Sequence, residues 1–368
     1  MRIVHLTTQW SATTGGPTTY VASLQRELTK RGHDVRVVTT DGGEGADVAT
    51  GSFPLRDVRM VRLLYRSAPD IIHVHNSVRL LFAALVCRVL RPRVRVVFTF
   101  HTQPITRVFI SGLSAPQRDY GVISALVARV LLRNADMITS VSDSIIARHN
   151  AAYPLGIRRY LRIPSGGDPR DHSSGRTRSN HQRLDERAYP LLVSVGVMTW
   201  DWKVAGHLVS VRAVDRLRRL YPGVLLLIAG DGQHRGLVEQ EVVALGLESH
   251  VRLLGNLSPS PLLDDADIYV HMGMNEGCSL AIIEAMHAGK AIVAANAGGT
   301  PEVLVDGETA LLIEPDPDEL AAAVQRLIDD ERYRGRLGER AREAALARHT
   351  WFAIAEQYAA TYQSLLGS

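Results

Sequence analysis

Two glutamates in an E-x7-E pattern, Glu276 and Glu284 in segment 275–290 (NEGCSLAIIEAMHAGK), are the side chains of this sequence best placed to do chemistry. Glu276 stands before Gly277 in a loop after a short apolar run, and the apolar spacing predicts a helix from about 280 to 287 with Glu284 on its second turn. The helix then opens on the loop through Gly277, Cys278, Ser279 and Leu280. Its uncapped N–H groups and the positive end of its dipole would receive a diphosphate. A carboxylate one turn deeper would accept hydrogen bonds from ribose hydroxyls. At 1.5 Å rise per residue the two carboxylates would stand about 12 Å apart if the segment were helical throughout, too far for the paired carboxyls of a glycosidase.

Two further features point to phosphate and sugar handling. Gly15-Gly16 lies in a long loop before the first helical run, where a backbone without side chains lets a phosphate or sugar approach. It does not spell G-x-G-x-x-G, which argues against a dinucleotide oxidoreductase. His101 ends the apolar run VRVVFTF, so its side chain emerges at the carboxyl end of a buried parallel strand, where active-site groups gather. His73 and His75 in IIHVHN are expected on a strand, one facing inward and one outward, as packing residues before acceptor-side ones. Metal chemistry has little support: Asp316-Pro317-Asp318 reads as a proline turn with Asp318 as a helix N-cap, and no His/Asp/Glu cluster shows ligand spacing. No metal site is expected.

Segment 275–290, followed by 294–303 (AANAGGTPEV), resembles the donor-binding region of the retaining glycosyltransferases of family 4 (group 1), which have the GT-B fold. Gly277, Glu284-Ala285-Met286, Gly289-Lys290 and Gly298-Gly299 fall where that family has them. The resemblance implies that Glu284 holds the donor ribose and Glu276 lies against the transferred sugar. It implies that Lys203 in MTWDWKVAG grips the donor phosphates, that Gly15-Gly16 contacts the diphosphate, and that His101 positions the sugar without acting as general base. The expected reaction is retaining transfer from a nucleoside diphosphate sugar to an acceptor hydroxyl, with the leaving phosphate taking the acceptor proton. No metal is implied, and no cofactor beyond the donor as co-substrate. The expected acceptor is a sugar, a lipid or a small molecule; a nucleic-acid partner is not expected.

The sequence departs from the family at Val197, where an Arg ordinarily follows the strand glycine, here Gly196. Charge-assisted phosphate contacts are each worth about 1.5–3 kcal/mol, so another cation, His207 or an arginine of the first half, would have to substitute. The glycine usually next to the lysine is also displaced, with Val204-Ala205 before Gly206, and Ser165 replaces an Asn in IPSGGD. A degenerate GT-B protein that binds a nucleotide sugar or serves as a partner subunit is the alternative reading, and a sugar-nucleotide epimerase is a further one.

The elements that must position these groups alternate short apolar strands with helical patterns in both halves. The expected strands are 2–7, 34–39, 71–75, 94–100 and 137–141, then, after a polar stretch, 191–195, 224–229, 251–254, 268–271 and 291–294. The fold class is therefore α/β, with two Rossmann-like doubly wound parallel sheets. Residues 1–168 form the expected N-terminal acceptor domain, 169–188 a linker and 189–351 the donor domain, with a last helix at 352–368 rejoining the first domain as in GT-B proteins. The active site is expected in the cleft between them. A chain of 368 residues that is 46% hydrophobic suits two cores. Its two cysteines offer neither a disulfide framework nor metal spacing, and no apolar run is long enough to span a bilayer, so a cytoplasmic location is expected. Before Asp168 basic residues outnumber acidic ones roughly twofold. Arg88, Arg91, Arg93 and Arg95 after an apolar helical run make peripheral contact with an anionic membrane a candidate role for that half.

Overall fold

A computed structural model of the chain describes residues 1–8, 10, 16–40, 45–49, 55–102, 122–153, 155–169 and 189–367. Gly15 and nearly all of the expected linker lie outside them. The described residues divide into two compact units: 1–166 together with the helix Trp351–Gly367, and Gly167–Thr350.

The first unit is built on seven parallel strands: β1 (Arg2–Thr7), β2 (Asp34–Thr39), β3 (Asp47–Val48), β4 (Ile71–His75), β5 (Arg95–Phe100), β6 (Met137–Ser140) and β7 (Leu161–Arg162). Their order across the sheet is β3-β2-β1-β4-β5-β6-β7, so the direction of winding reverses between β1 and β4. Near-continuous apolar runs form these strands because helices cover both faces, leaving every residue of β4 buried. One face carries helices Leu55–Ser67, Val78–Leu90 and Val122–Arg133 side by side. The helices Gly16–Lys30 and Trp351–Gly367 pack against one another, with Tyr20 edge-on to Trp351 and Tyr358.

The second unit repeats the plan with β8 (Leu191–Val195), β9 (Leu225–Ala229), β10 (Val251–Gly255), β11 (Ile268–His271), β12 (Ala291–Ala295) and β13 (Leu311–Ile313), ordered β10-β9-β8-β11-β12-β13. Period-two alternation sends Leu192, Leu226 and Ile228 into one core layer, and Leu191, Val193, Leu225 and Leu227 into the layer on the opposite face. Each fully buried side chain of this kind contributes about 1.5–3 kcal/mol. The switch in winding falls between β8 and β11, whose carboxyl ends are Val195 and His271.

Some expectations need correction. Asp316, and not Asp318, caps the helix Pro317–Asp329, accepting from the N–H groups of Asp318 and Glu319. The helix after β8 begins at Asp201, a turn earlier than the expected start near Gly206, which moves Lys203 from a loop into a first turn. His73 and His75 do not face opposite ways. Residues two apart on a strand share a face, and their rings lie 4.1 Å apart, both buried.

Candidate functional site

The carboxyl ends of β8 and β11 form one end of a small pocket lined by Gly196, Lys203, His207, His271, Gly273 and Glu276, among others. This is where doubly wound sheets bind ligands, because the loops of adjacent strands depart in opposite directions and leave a crevice. Lys203 Nζ lies 3.0 Å from Glu276 Oε1, both side chains being mostly buried. Burial alone would raise the Glu276 pKa. The Lys203 ammonium and His271 outweigh that and hold the carboxyl well below the usual carboxylate range.

Behind this pair the side chains are ordered by hydrogen bonds along β11. The Tyr269 hydroxyl, buried and pushed upward in pKa first by that burial and then by Glu284 and Glu276, shares a hydrogen bond with His271 Nδ1 at 3.2 Å. His271 Nε2 lies 3.7 Å from Glu276 Oε1, an electrostatic contact beyond hydrogen-bond length. Tyr269 and His271 went unnoticed in the sequence. Their signal was their period-two spacing on the strand that ends five residues before Glu276.

Glycines let the loops close around this group. A Cβ on Gly273 would stand 3.0 Å from His271 Nε2 and 3.1 Å from Glu276 Oε1. Gly298 has φ +60, and a Cβ there would meet the Glu276 carbonyl at 2.5 Å, while the Gly299 N–H donates to that same carbonyl at 2.8 Å. Gly206 lets the helix Asp201–Leu217 pass so close to Met272 that a Cβ would sit 2.4 Å from its carbonyl oxygen. That approach is what sets Lys203 over Glu276.

After Glu276 the chain turns through buried Gly277 and half-buried Cys278 and Ser279 into the helix Leu280–His287. Ser279 is its N-cap without a side-chain cap bond, so its hydroxyl leaves the first-turn N–H groups to another acceptor. Glu284 lies half-buried on the second turn. Lys203, Glu276, Gly277, Cys278, Ser279, Leu280 and Glu284 thus belong to one unit, with the first two in contact.

Val197 is confirmed in the loop after β8, and His207 does not replace the missing charge. Its ring is buried between the Gly196 carbonyl, to which Nε2–H donates at 3.1 Å, and the Ser194 hydroxyl, and burial pushes its pKa down to about 4. A neutral imidazole cannot balance a diphosphate. Among the described residues lining the pocket, Lys203 is the one side chain with a fixed positive charge.

His101 and Gly16 belong to the first unit. Gly16 opens the helix Gly16–Lys30. His101 follows β5 and is buried, its backbone N–H donating to Asn76 Oδ1 and its ring edge-on to Tyr20 at 4.6 Å. It ends a row of histidines brought together by the sheet: His5 Nδ1 pairs with His75 Nε2 at 2.9 Å, and His75 Nδ1 with His101 Nε2 at 2.8 Å. His73 bonds Tyr362 and Thr99 instead. Burial pushes His5 and His101 down to about 3, so the row is neutral.

The expectation that no histidine cluster has ligand spacing is thereby corrected, since candidate ligand atoms of His5, His73 and His75 lie within 4.8 Å of one another. Both ring nitrogens of His73 and His75 are already engaged in hydrogen bonds, which makes this a polar core network. Two of the arginines offered for an anionic surface are also engaged, Arg88 and Arg95 both reaching Asp136, at 3.1 and 3.4 Å.

The chain matches two family descriptions in succession, "Glycosyltransferase Family 4" over residues 14–170 and "Glycosyl transferases group 1" over residues 178–344. It is 28% identical over 426 aligned residues to the MMP alpha-(1->4)-mannosyltransferase of Mycolicibacterium hassiacum, covering 100% of this chain and 98% of that one. Among solved structures it is similar to the sucrose-phosphate synthase of Thermosynechococcus elongatus, with TM-score 0.80 and 21% identity over 100% of this chain and 99% of that one. It is also similar to Anabaena Alr3699/HepE in complex with UDP, with TM-score 0.79 and 22% identity over 99% and 100% of the respective chains. Twin parallel sheets of Rossmann type, the donor-segment glycines and both family matches lead to one conclusion: this chain is a GT-B protein of the group 1, or family 4, glycosyltransferases.

Proposed function

We propose that the protein transfers a sugar from a nucleoside diphosphate sugar to an acceptor hydroxyl, with retention at the anomeric carbon and without a bound divalent ion. The observation that carries this reading is the Lys203–Glu276 pair at the switch point of the second sheet, directly ahead of the helix Leu280–His287. The UDP bound in the Anabaena relative supports a nucleotide donor, and the mannosyltransferase relative supports transfer to a hydroxyl.

In the resting protein the Lys203 ammonium is held by Glu276. A diphosphate with its double charge competes for that ammonium, and the first-turn N–H groups of Leu280–His287 donate to its other oxygens. Glu276, kept ionised and steadied by His271, is then turned to the sugar hydroxyls as positive charge develops on the ring. Glu284 holds the ribose. His101, with Nε2 tied to His75, offers Nδ1 to a sugar hydroxyl as a neutral partner, and its low basicity suits positioning and not proton abstraction. Gly15-Gly16 keeps the family's role on the diphosphate. The leaving phosphate takes the acceptor proton, so Lys203 supplies the positive charge a metal ion would otherwise supply.

Val197 favours a second reading, a scaffold that binds donor without turning it over. Thermal unfolding with UDP, GDP and ADP, each repeated in Glu284→Ala, separates the two. A nucleotide at a hundred times its Kd should add about 2.7 kcal/mol to stability, lost in the variant. Release of nucleotide from the matching sugar donor, abolished in Glu276→Ala, makes the protein an enzyme. Binding without release across acceptors makes it the scaffold, and no shift with any nucleotide removes the donor site.

A further inference from the structure

The face of the first unit formed by helices Leu55–Ser67, Val78–Leu90 and Val122–Arg133 carries half of the large apolar side chains exposed among the described residues. The helices lie side by side, the middle one touching both others. Their outward rows include Leu55 and Val58 on the first, Phe82 and Val89 on the second, and Leu126 and Val130 on the third, each more than half exposed. Such rows at i, i+3, i+4 and i+7 ordinarily face a core. Here they look outward although each helix already buries its opposite side, as Met60 and Leu64, Leu81 and Leu85, and Ala125 and Leu132 show.

The charge on this face is one-sided. The three helices contain eight arginines and a single acidic residue, Asp57, which is itself occupied by Arg79 at 3.0 Å. Arg59, Arg62 and Arg66 follow Leu55 and Val58 along the exposed side of the first helix, within about three turns of Leu55. Arg91, just past the middle helix, lies over the exposed Tyr65 ring at 4.2 Å and ties the two helices together.

From this pairing of exposed apolar rows with uniform positive charge, the geometry points to an anionic lipid bilayer as the partner of this face. The apolar side chains would enter the headgroup boundary while the arginines, long enough to snorkel, would stay among the phosphates. Charge decides against other occupants. A second copy would bring like charge against like charge. A nucleic acid would engage the arginines but leave the apolar rows in water. Among the described residues no helix is long and apolar enough to cross a membrane, so the contact is peripheral.

The full-length protein is sedimented with vesicles of phosphatidylglycerol and, separately, of phosphatidylcholine, at low and high salt. The expected result is partition onto phosphatidylglycerol that salt weakens and phosphatidylcholine does not support. A triple reversal, Arg59→Glu, Arg62→Glu and Arg66→Glu, should weaken it about a hundredfold or more. Phe82→Ser with Leu126→Ser and Val130→Ser should weaken it at least about tenfold. Unchanged far-UV circular dichroism and an unchanged response to UDP, GDP or ADP certify that these variants are folded, whatever becomes of the proposed donor chemistry. Absence of partition, partition that ignores salt and lipid charge, or variants that bind like the parent would overturn the proposal. So would a dimer in sedimentation velocity that the apolar triple variant dissolves.

Discussion

At the scale of single residues the site rests on an ion pair whose partners need one another. Glu276 is mostly buried, and without its neighbours burial would push its carboxyl upward; Lys203 and His271 reverse the sign. Its folded pKa being depressed, its share of stability is present above the unfolded carboxylate pKa and is lost as pH falls through that range. Replacing Lys203 by Met removes the ammonium and leaves the burial. The acid limb of a kcat/KM profile should then move to higher pH, with a loss of about 10²–10³-fold at the optimum, and Lys203→Arg should keep the parent's limb. A Met variant with an unshifted limb would mean that Glu276 does not govern the profile. The same reasoning places His207 outside the charge balance, since neutrality is its cheapest state in that pocket.

At the scale of elements the glycines matter because they set how closely loops approach. Gly298 combines a left-handed backbone with a Glu276 carbonyl 2.5 Å from where a Cβ would stand. Gly298→Ala should therefore cost about 1–2 kcal/mol for the backbone conformation alone, and more as the Glu276 loop is displaced. The expected signature is a modest fall in Tm with a much larger loss of nucleotide-dependent stabilisation, because the displaced loop leads into the helix Leu280–His287. Gly307 supplies the control: it too has positive φ, but a Cβ there meets nothing within 4 Å, so Gly307→Ala should lower Tm without touching nucleotide binding.

At the scale of the whole molecule the two units should answer acid differently. His5, His73, His75 and His101 of the first unit are all lowered in pKa, chiefly by burial, and stay neutral in the folded state. In the unfolded chain they protonate near pH 6.5, so their contribution is intact above that value and is lost as pH falls below it. Four such groups give a slope of about 5 kcal/mol per pH unit well below 6.5, against roughly a quarter of that from His207 in the second unit. Hydrogen exchange followed by peptide between pH 7 and 5 should show β1, β4 and β5 losing protection while β8, β9 and β11 keep it. Equal loss in both would refute the buried-neutral network as the cause.

The residues and the local pattern determined much of this protein on their own. Alternating apolar runs fixed β1, β2, β4, β8 and β11 to the residue, because a strand buried on both faces has few ways to be written. Segment 275–290 disclosed the helix Leu280–His287 and both glutamates, since a loop that must pass a helix N-terminus needs glycine and a defined start. Short edge strands such as β3 and β7 were invisible, being two residues long and held by their neighbours. What only the tertiary structure decided is which side chains meet. Lys203 and Glu276 are 73 positions apart in the chain and 3.0 Å apart in space. The histidines of β1, of β4 and just past β5 form one row for the same reason: parallel strands bring distant segments into register, and burial then sets the charge of what they carry.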